Sequence, residues 1–341
     1  MMAVNIANAL AENGLESHIC ATRQEGNLKS KIGAEVKYLF LDKKNTLDVK
    51  ALRKLVHYIK LNEINIIHAH ATSYFTAFLV KLGLPKTTII WHNHYGNSKN
   101  LRSDKKFILS HVSKSFKTVI SVNNELHQWA KQHLKAKNYK YLPNFAAFDP
   151  ENPKITQLLG ENEKRIICLA NLKLPKDHLN LLKAFKTVRE KHTDWTLHLV
   201  GMDFKDLYAE EIKSCIATYS LTACVFLYGS RSDTQHILEQ ATIGVLSSKS
   251  EGLPVALLEY GLAKLPVTVT DVGECGAVVD HGKSGMAVSP SEEDKLAESL
   301  LFLMENENKR KEFGENLYHK VNLNYSQSAF ITQLMILYHL E

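Results

Sequence analysis

The chain has 341 residues, 45% of them apolar and 23% charged, and a formal net charge of +6. That length accommodates two domains of ordinary size, and the composition is that of a globular protein, which excludes disordered and collagen-like classes. No apolar run reaches the length of a membrane span; five scattered cysteines (Cys20, Cys168, Cys215, Cys224, Cys275) without C-x-x-C spacing argue against a disulfide framework or a zinc centre.

In chain order, the first half alternates helix and strand. A helix over 3–11 stops at Asn13-Gly14, and strands are expected over 17–21 and 36–40. Leu52, Leu55, Val56 and Ile59 give residues 49–61 helical spacing. A strand over 64–69, a helix through Tyr74, Phe75, Phe78 and Leu79, and a strand over 87–91 follow. A helix over 103–115, a strand over 118–122 and a helix capped by Asn124 complete this half. Prolines at 143, 150 and 153 mark an interdomain linker.

The second half repeats the alternation. Strands are expected over 165–170, 196–200, 225–228, 243–246, 266–270 and 285–288. Helices are expected over 177–191 and 206–219, from Asp233, over 292–305 and over 330–339. Such alternation predicts mostly parallel, doubly wound sheets with helices on both faces. Charge divides with the chain: residues 1–150 carry +12 and the remainder −6. The first half is therefore expected to meet an anionic partner, which we expect to be an anionic membrane surface or polyanionic glycan rather than nucleic acid.

One stretch concentrates polar chemistry. After the apolar run Ile243–Leu246 come Ser248, Lys249, Ser250, Glu251, Gly252, Leu253, Pro254 and Val255, and Glu259 follows. Strand, short loop, then Pro254 at the first helical position presents free backbone N–H groups to an anion. Glu251 in the loop and Glu259 in the helix add acceptors for hydroxyls, a combination suited to a sugar nucleotide. An ordinary βα turn, with Glu251 favouring the helix dipole and Glu259 solvated, is the alternative.

Glu251 and Glu259, set in SEGLPVALLEYGLAKLPVTVTDVGE, resemble the E-x7-E segment of the family 4 retaining glycosyltransferases, and Gly273, Glu274, Val278 and the turn from Asp280 to Gly285 continue the likeness. The resemblance implies a GT-B architecture: two Rossmann-like domains, 1–145 and 146–325, facing each other across a cleft, with 326–341 crossing back to the first. It also implies roles. Lys176 matches a basic group that neutralises the donor diphosphate; Asn171 stands where many relatives carry Arg, and Lys173 is positioned to compensate. Gly229, Ser230 and Arg231 would lie against the nucleotide base, although Arg231 could instead pair with Asp233. Ser250 and the amides of Gly252, Leu253, Pro254 and Val255 line the donor side, with Glu251 holding sugar hydroxyls and Glu259 the ribose diol.

Histidines His68, His70, His92 and His94 end two strands of the first half, alternate residues sharing a face. A metal centre is one reading, yet no Asp, Glu or Cys accompanies them at ligand spacing; hydrogen-bonded loop histidines are another. The resemblance implies that His94, or else His92, contacts the donor sugar, with no metal or cofactor. It further implies a cytoplasmic, membrane-peripheral transferase acting on a glycan or lipid-linked acceptor. A GT-B epimerase or phosphorylase, or an inactive binding relative, are the alternatives. Relatives open with a strand and a Gly-Gly loop before a helix like 3–14, so the resemblance also implies a lost central strand and a poorly active, truncated chain.

Overall fold

The structure is a computed structural model and describes residues 2–94, 102–148 and 153–338. Two compact units emerge, Met1–Asn144 with Gln327–Glu341 and Phe145–Ser326.

The first unit runs α1 (Met2–Glu12), β1 (His18–Ala21), β2 (Lys37–Phe40), α2 (Val49–Leu61), β3 (Ile66–His70), α3 (Tyr74–Gly83), β4 (Thr88–Asn93), α4 (Ser103–Val112), β5 (Thr118–Ser121), α5 (Asn124–His133) and β6 (Asn138–Tyr141). Asp48 starts α2 by accepting a hydrogen bond from the Ala51 amide, the usual service of an acidic N-cap. The cap of α5 is Asn123, one residue earlier than the sequence suggested: its backbone is extended and its side chain accepts from the Leu126 amide. The strands form two separate parallel sheets, β1-β2 and β3-β4-β5-β6. Trp91, Ile89, Val119, Phe116 and Trp129 build the core beside the larger one. Register sets His70 directly opposite His92.

The second unit runs β7 (Arg165–Leu169), α6 (His178–Lys191), β8 (Thr196–Val200), α7 (Leu207–Thr218), β9 (Val225–Gly229), α8 (Thr234–Glu239), β10 (Ile243–Leu246), α9 (Val255–Leu262), β11 (Val267–Thr270), α10 (Cys275–Val278), β12 (Met286–Val288), α11 (Glu293–Glu305) and α12 (Glu307–Tyr325). α13 (Gln327–Tyr338) belongs to the first unit, where it packs on α1. Six parallel strands lie in the order β12-β11-β10-β7-β8-β9. Every residue of β7, β8, β10 and β11 is buried, as a parallel sheet covered on both faces requires. Strand order reverses between β10 and β7, and the crevice outside the carboxyl ends of such strands is where doubly wound sheets bind ligands.

Tyr260 fixes the helix that enters this crevice. Its fully buried hydroxyl accepts from the Leu169 amide at 2.7 Å and lies 3.3 Å from both the Ile167 and Val245 carbonyls, tying α9 to β7 and β10. α12 closes over the far side. A Cβ at Gly314 would stand 2.1 Å from the Lys264 carbonyl oxygen, so the approach of α12 needs a glycine.

β6, α10 and α12 do not appear in the sequence expectations. β6 reads Asn-Tyr-Lys-Tyr, without an apolar run. In α12 only Phe313, Gly314, Leu317, Val321 and Tyr325 are buried, a thin stripe among charges. Residues 149–152 of the proposed linker, Tyr95, Gly96 and Asn97 beyond His94, and His339 at the end of the expected last helix lie outside the described residues.

Candidate functional site

In the second unit the carboxyl ends of β7 and β10 bring Lys176, Ser248 and Glu251 together. Lys176 Nζ donates to Glu251 Oε1 at 2.6 Å, and Ser248 Oγ donates to the same oxygen at 2.6 Å. The Glu251 side chain is only 7% exposed and that of Lys176 27%. The sequence had assigned these two groups to different parts of a ligand; in this structure each is the other's partner. Around them, Ser247 Oγ donates to the carbonyls of Lys176 and Asp177, and Lys249 Nζ donates to Asp177 Oδ1 at 3.0 Å. Asp177 is buried, with a left-handed backbone (φ 49°) at the turn into α6.

The loop Glu251–Pro254 is held from below by the turn before α10. Gly273 has φ 57°, and a Cβ there would lie 2.2 Å from the Glu251 carbonyl oxygen. The Glu274 amide donates to the Gly252 carbonyl at 2.8 Å. This explains chemically why the Val-Gly-Glu triplet belongs with the glutamate loop: only a glycine lets the two turns touch. Leu253 and Pro254 are buried, Leu253 in the apolar core, so they offer backbone rather than side chain to a ligand. Pro254 is the N-cap of α9 and not its first helical residue, with φ −74° and ψ 114°. The N–H groups of Val255 and Ala256 open the helix without an i−4 partner inside it, while that of Leu257 donates to the Pro254 carbonyl at 3.1 Å. Ser250 and Gly252 are exposed at the loop surface.

Glu259 stands one turn into α9, on the face that carries Val255. Burial pushes its pKa up to about 7, because an apolar surround penalises the charged carboxylate. By exposed surface it is half-buried, neither sealed in the core nor fully solvated.

Other candidates are engaged differently from expectation. Asn171 Oδ1 accepts from the Met202 amide at 2.8 Å, bracing the turn after β7. Lys173 Nζ sits 4.4 Å from the centroid of the Phe204 ring, a cation–π contact, so here it does not compensate for the missing arginine. Arg231 is exposed and donates to the Ser230 carbonyl at 3.2 Å. It does not pair with Asp233, whose carboxylate accepts from the Ile155 and Thr156 amides and the Thr156 hydroxyl. Gly229 takes φ 67° with open space where a side chain would be.

In the first unit, β3 and β4 gather all four histidines. His70 Nδ1 and His94 Nε2 are 2.9 Å apart, His68 Nε2 and His92 Nδ1 3.2 Å, and His68 Nδ1 meets the Tyr338 hydroxyl at 2.7 Å. Burial lowers every one of them: His68 to about 3, His94 to about 4, His70 and His92 well below the usual imidazole range. The cluster is thus neutral at pH 7. His92 is fully buried beneath Phe330, whereas His94 keeps partial exposure, which leaves His94 as the member of the pair within a ligand's reach. Ligand atoms of His68, His70 and His92 lie within 4.8 Å of one another, a set able to hold a metal ion. Lys43 is a further buried cation that sequence reasoning passed over; its ammonium donates to Thr76 Oγ1 at 2.8 Å.

Two α/β units, one of which gathers a lysine, two glutamates and a helix N-terminus at a strand-order reversal, make up a GT-B fold. The model of the glycosyl transferases group 1 matches residues 150–320, and that of glycosyltransferase family 4 matches residues 1–147. The chain belongs to the family 4 glycosyltransferases. An uncharacterized glycosyltransferase of Haemophilus influenzae is 24% identical over 89% of this chain and 86% of its own length. The N,N'-diacetylbacillosaminyl-diphospho-undecaprenol alpha-1,3-N-acetylgalactosaminyltransferase of Campylobacter jejuni is 26% identical over 54% of this chain, which spans half of that relative. Among solved structures, Anabaena HepE in complex with UDP and glucose superposes with a TM-score of 0.80 at 16% identity, covering 100% of this chain and 95% of the other.

Proposed function

We propose that this protein is a retaining glycosyltransferase that moves a sugar from a nucleoside diphosphate sugar to a glycan or lipid-linked glycan acceptor in cell-surface polysaccharide synthesis. The observation that carries the reading is the Lys176–Glu251–Ser248 cluster beside the first turn of α9. UDP and glucose in the Anabaena structure and the diphospho-undecaprenol acceptor in the name of the Campylobacter relative support the two substrate classes.

In this reading the second unit binds the donor. As the bond between the anomeric carbon and the β-phosphate oxygen breaks, negative charge grows on the phosphate, and Lys176 with the α9 amides stabilises it. Lys176 leaves Glu251 to do so, and the freed carboxylate accepts from sugar hydroxyls, a charge-assisted bond. Glu259 accepts from the ribose diol. Asn171, Gly229, Ser230, Arg231 and Ser250 line the base and sugar. The departing phosphate oxygen takes the proton of the acceptor hydroxyl as the acceptor oxygen bonds to the anomeric carbon on the same face. No protein nucleophile is needed, and the two carboxylates serve recognition, not hydrolytic acid/base work. The first unit takes the acceptor, with His94, neutral at pH 7, hydrogen-bonding the sugar near its reacting carbon. No metal takes part, so EDTA should leave the rate unchanged; loss of activity on chelation would reassign the imidazole cluster. The protein works in the cytoplasm, with basic α4 resting on an anionic membrane.

The test is to incubate the protein with a nucleoside diphosphate sugar and candidate acceptors and follow the product by NMR. Nucleotide release only with acceptor present, and retained anomeric configuration, are expected. Inverted linkage would overturn the mechanism, and release indifferent to acceptor would overturn transfer.

A further inference from the structure

Sugar transfer uses one imidazole of the first unit, and the cluster holds four. Register sets His70 opposite His92, alternation puts His68 on the same face, and His94 follows just beyond β4. Histidines alone suffice as zinc ligands, at a metal–nitrogen distance of about 2.0 Å, so two ligand nitrogens of a tetrahedral site stand about 3.3 Å apart. The His70–His94 and His68–His92 nitrogen pairs, at 2.9 and 3.2 Å, are already close to that spacing. Neighbouring rings lie within 33° of parallel, so coordination needs rotation about χ2, a broad torsion in histidine.

Hydrogen-bond accounting points to a missing partner. A neutral imidazole has one donor and one acceptor. When His68 Nδ1 donates to the Tyr338 hydroxyl, its Nε2 accepts from His92 Nδ1. His92 Nε2 is then a bare lone pair, buried with no hydrogen-bond partner among the described residues. The reverse tautomers leave the same atom as a buried N–H without an acceptor, so neither proton arrangement satisfies it. Buried polar atoms are rarely left so, and a metal ion is the partner a bare imidazole nitrogen takes. His68 also has the arrangement of a metal-binding histidine, one nitrogen in the cluster and the other fixed by Tyr338.

We propose that His68, His70, His92 and His94 form a binding site for a divalent transition metal ion such as zinc, and that the bound ion blocks sugar transfer by holding His94. The all-nitrogen set excludes magnesium and calcium, which take oxygen ligands. No carboxylate among these ligands offsets the ion's charge, so we expect micromolar rather than nanomolar affinity. The metal-free protein is the active form. Only the block rests on the function proposed above.

The experiment titrates the full chain, stripped with EDTA and desalted, with the chlorides of zinc, cobalt(II) and magnesium. Calorimetry should show a first phase of one zinc per chain with Kd on the order of 10 μM, cobalt should give the intense visible bands of tetrahedral coordination, and magnesium should not bind. Tyr338→Phe, which removes only the outer partner of His68, should weaken that phase about tenfold. His68→Gln should weaken it further, and Tyr338→Phe carries the test should His68→Gln misfold. No such phase, a weak octahedral cobalt spectrum, or parental affinity in both variants would overturn the site. These readings need no sugar substrate, so the site stands or falls apart from sugar transfer. Zinc at ten times its Kd should cut transfer about tenfold by mass action, and EDTA should restore it. His68→Gln should match the parent rate without zinc and resist the same dose. Zinc bound without loss of transfer would overturn the block and count against the contact of His94 with the sugar.

Discussion

Glu259 is the residue whose state decides most. Its pKa, raised by burial to about 7 from 4.5, makes it half protonated near neutrality. The sign follows: the stability it lends as a neutral acid is present below about pH 4.5 and lost as pH rises through about 7. Donor binding runs the other way, because only the carboxylate accepts both hydrogens of a diol. We expect donor affinity to rise between pH 6 and pH 8. Glu259→Gln should keep the fold, bind donor at least tenfold more weakly at pH 8, roughly 1.4 kcal/mol, and lose that pH dependence. Calorimetric titration at the two pH values checks this, and equal affinities at pH 8 would remove Glu259 from the site. At this scale the sequence was partly legible. The seven-residue spacing of Glu251 and Glu259 was visible because both sit in one continuous βα segment. The Asp177–Lys249 pair and the Lys173–Phe204 contact were not, since each joins separate loops whose approach depends on the packed sheet.

Among elements, α4 carries the charge argument of the first half. Arg102, Lys105 and Lys114 are exposed, with Lys106 and Lys117 partly so, and the same helix exposes Phe107 (65%) and Ile108 (46%). Basic residues beside an aromatic and an aliphatic side chain suit an anionic lipid surface, where each cation contributes about 1 kcal/mol within a Debye length. The protein should co-sediment with vesicles of anionic lipid at low salt and release at high salt. Phe107→Ser with Ile108→Ser should weaken that binding several-fold without changing the melting temperature; binding indifferent to lipid charge would defeat the idea. The apolar runs made β7, β8, β10 and β11 readable, because strands buried on both faces carry continuous Ile, Leu and Val. β6 and α12 escaped because their burial comes from neighbours: β6 completes an edge with polar residues, and α12 rests on α9 through a glycine contact that no periodicity announces.

Across the whole molecule, buried neutral imidazoles dominate the response to acid. His68 and His198 are lowered to about 3, and His94 and His178 to about 4; His70 and His92 are lowered as well. A depressed folded pKa means that each contributes stability present above the unfolded value of about 6.5 and lost as pH falls toward the folded one. Urea unfolding should therefore require less denaturant at pH 5 than at pH 7, with uptake of about two or more protons on unfolding. Glu259 opposes this by one group at most. Stability unchanged between the two pH values would mean that the imidazoles are hydrated and charged.

The two-unit GT-B organisation was legible in the alternation of strands and helices together with the glutamate segment; the separation of β1-β2 from β3-β4-β5-β6 was implied only by the family resemblance and by no residue pattern. The central claim is that the second unit binds a nucleoside diphosphate without metal, and isothermal titration with UDP, GDP and ADP in EDTA tests it most directly. We expect at least one of the three to bind one-to-one with Kd below about 1 mM, the upper range of ordinary substrate affinities. No heat from any of them at that concentration would contradict the account.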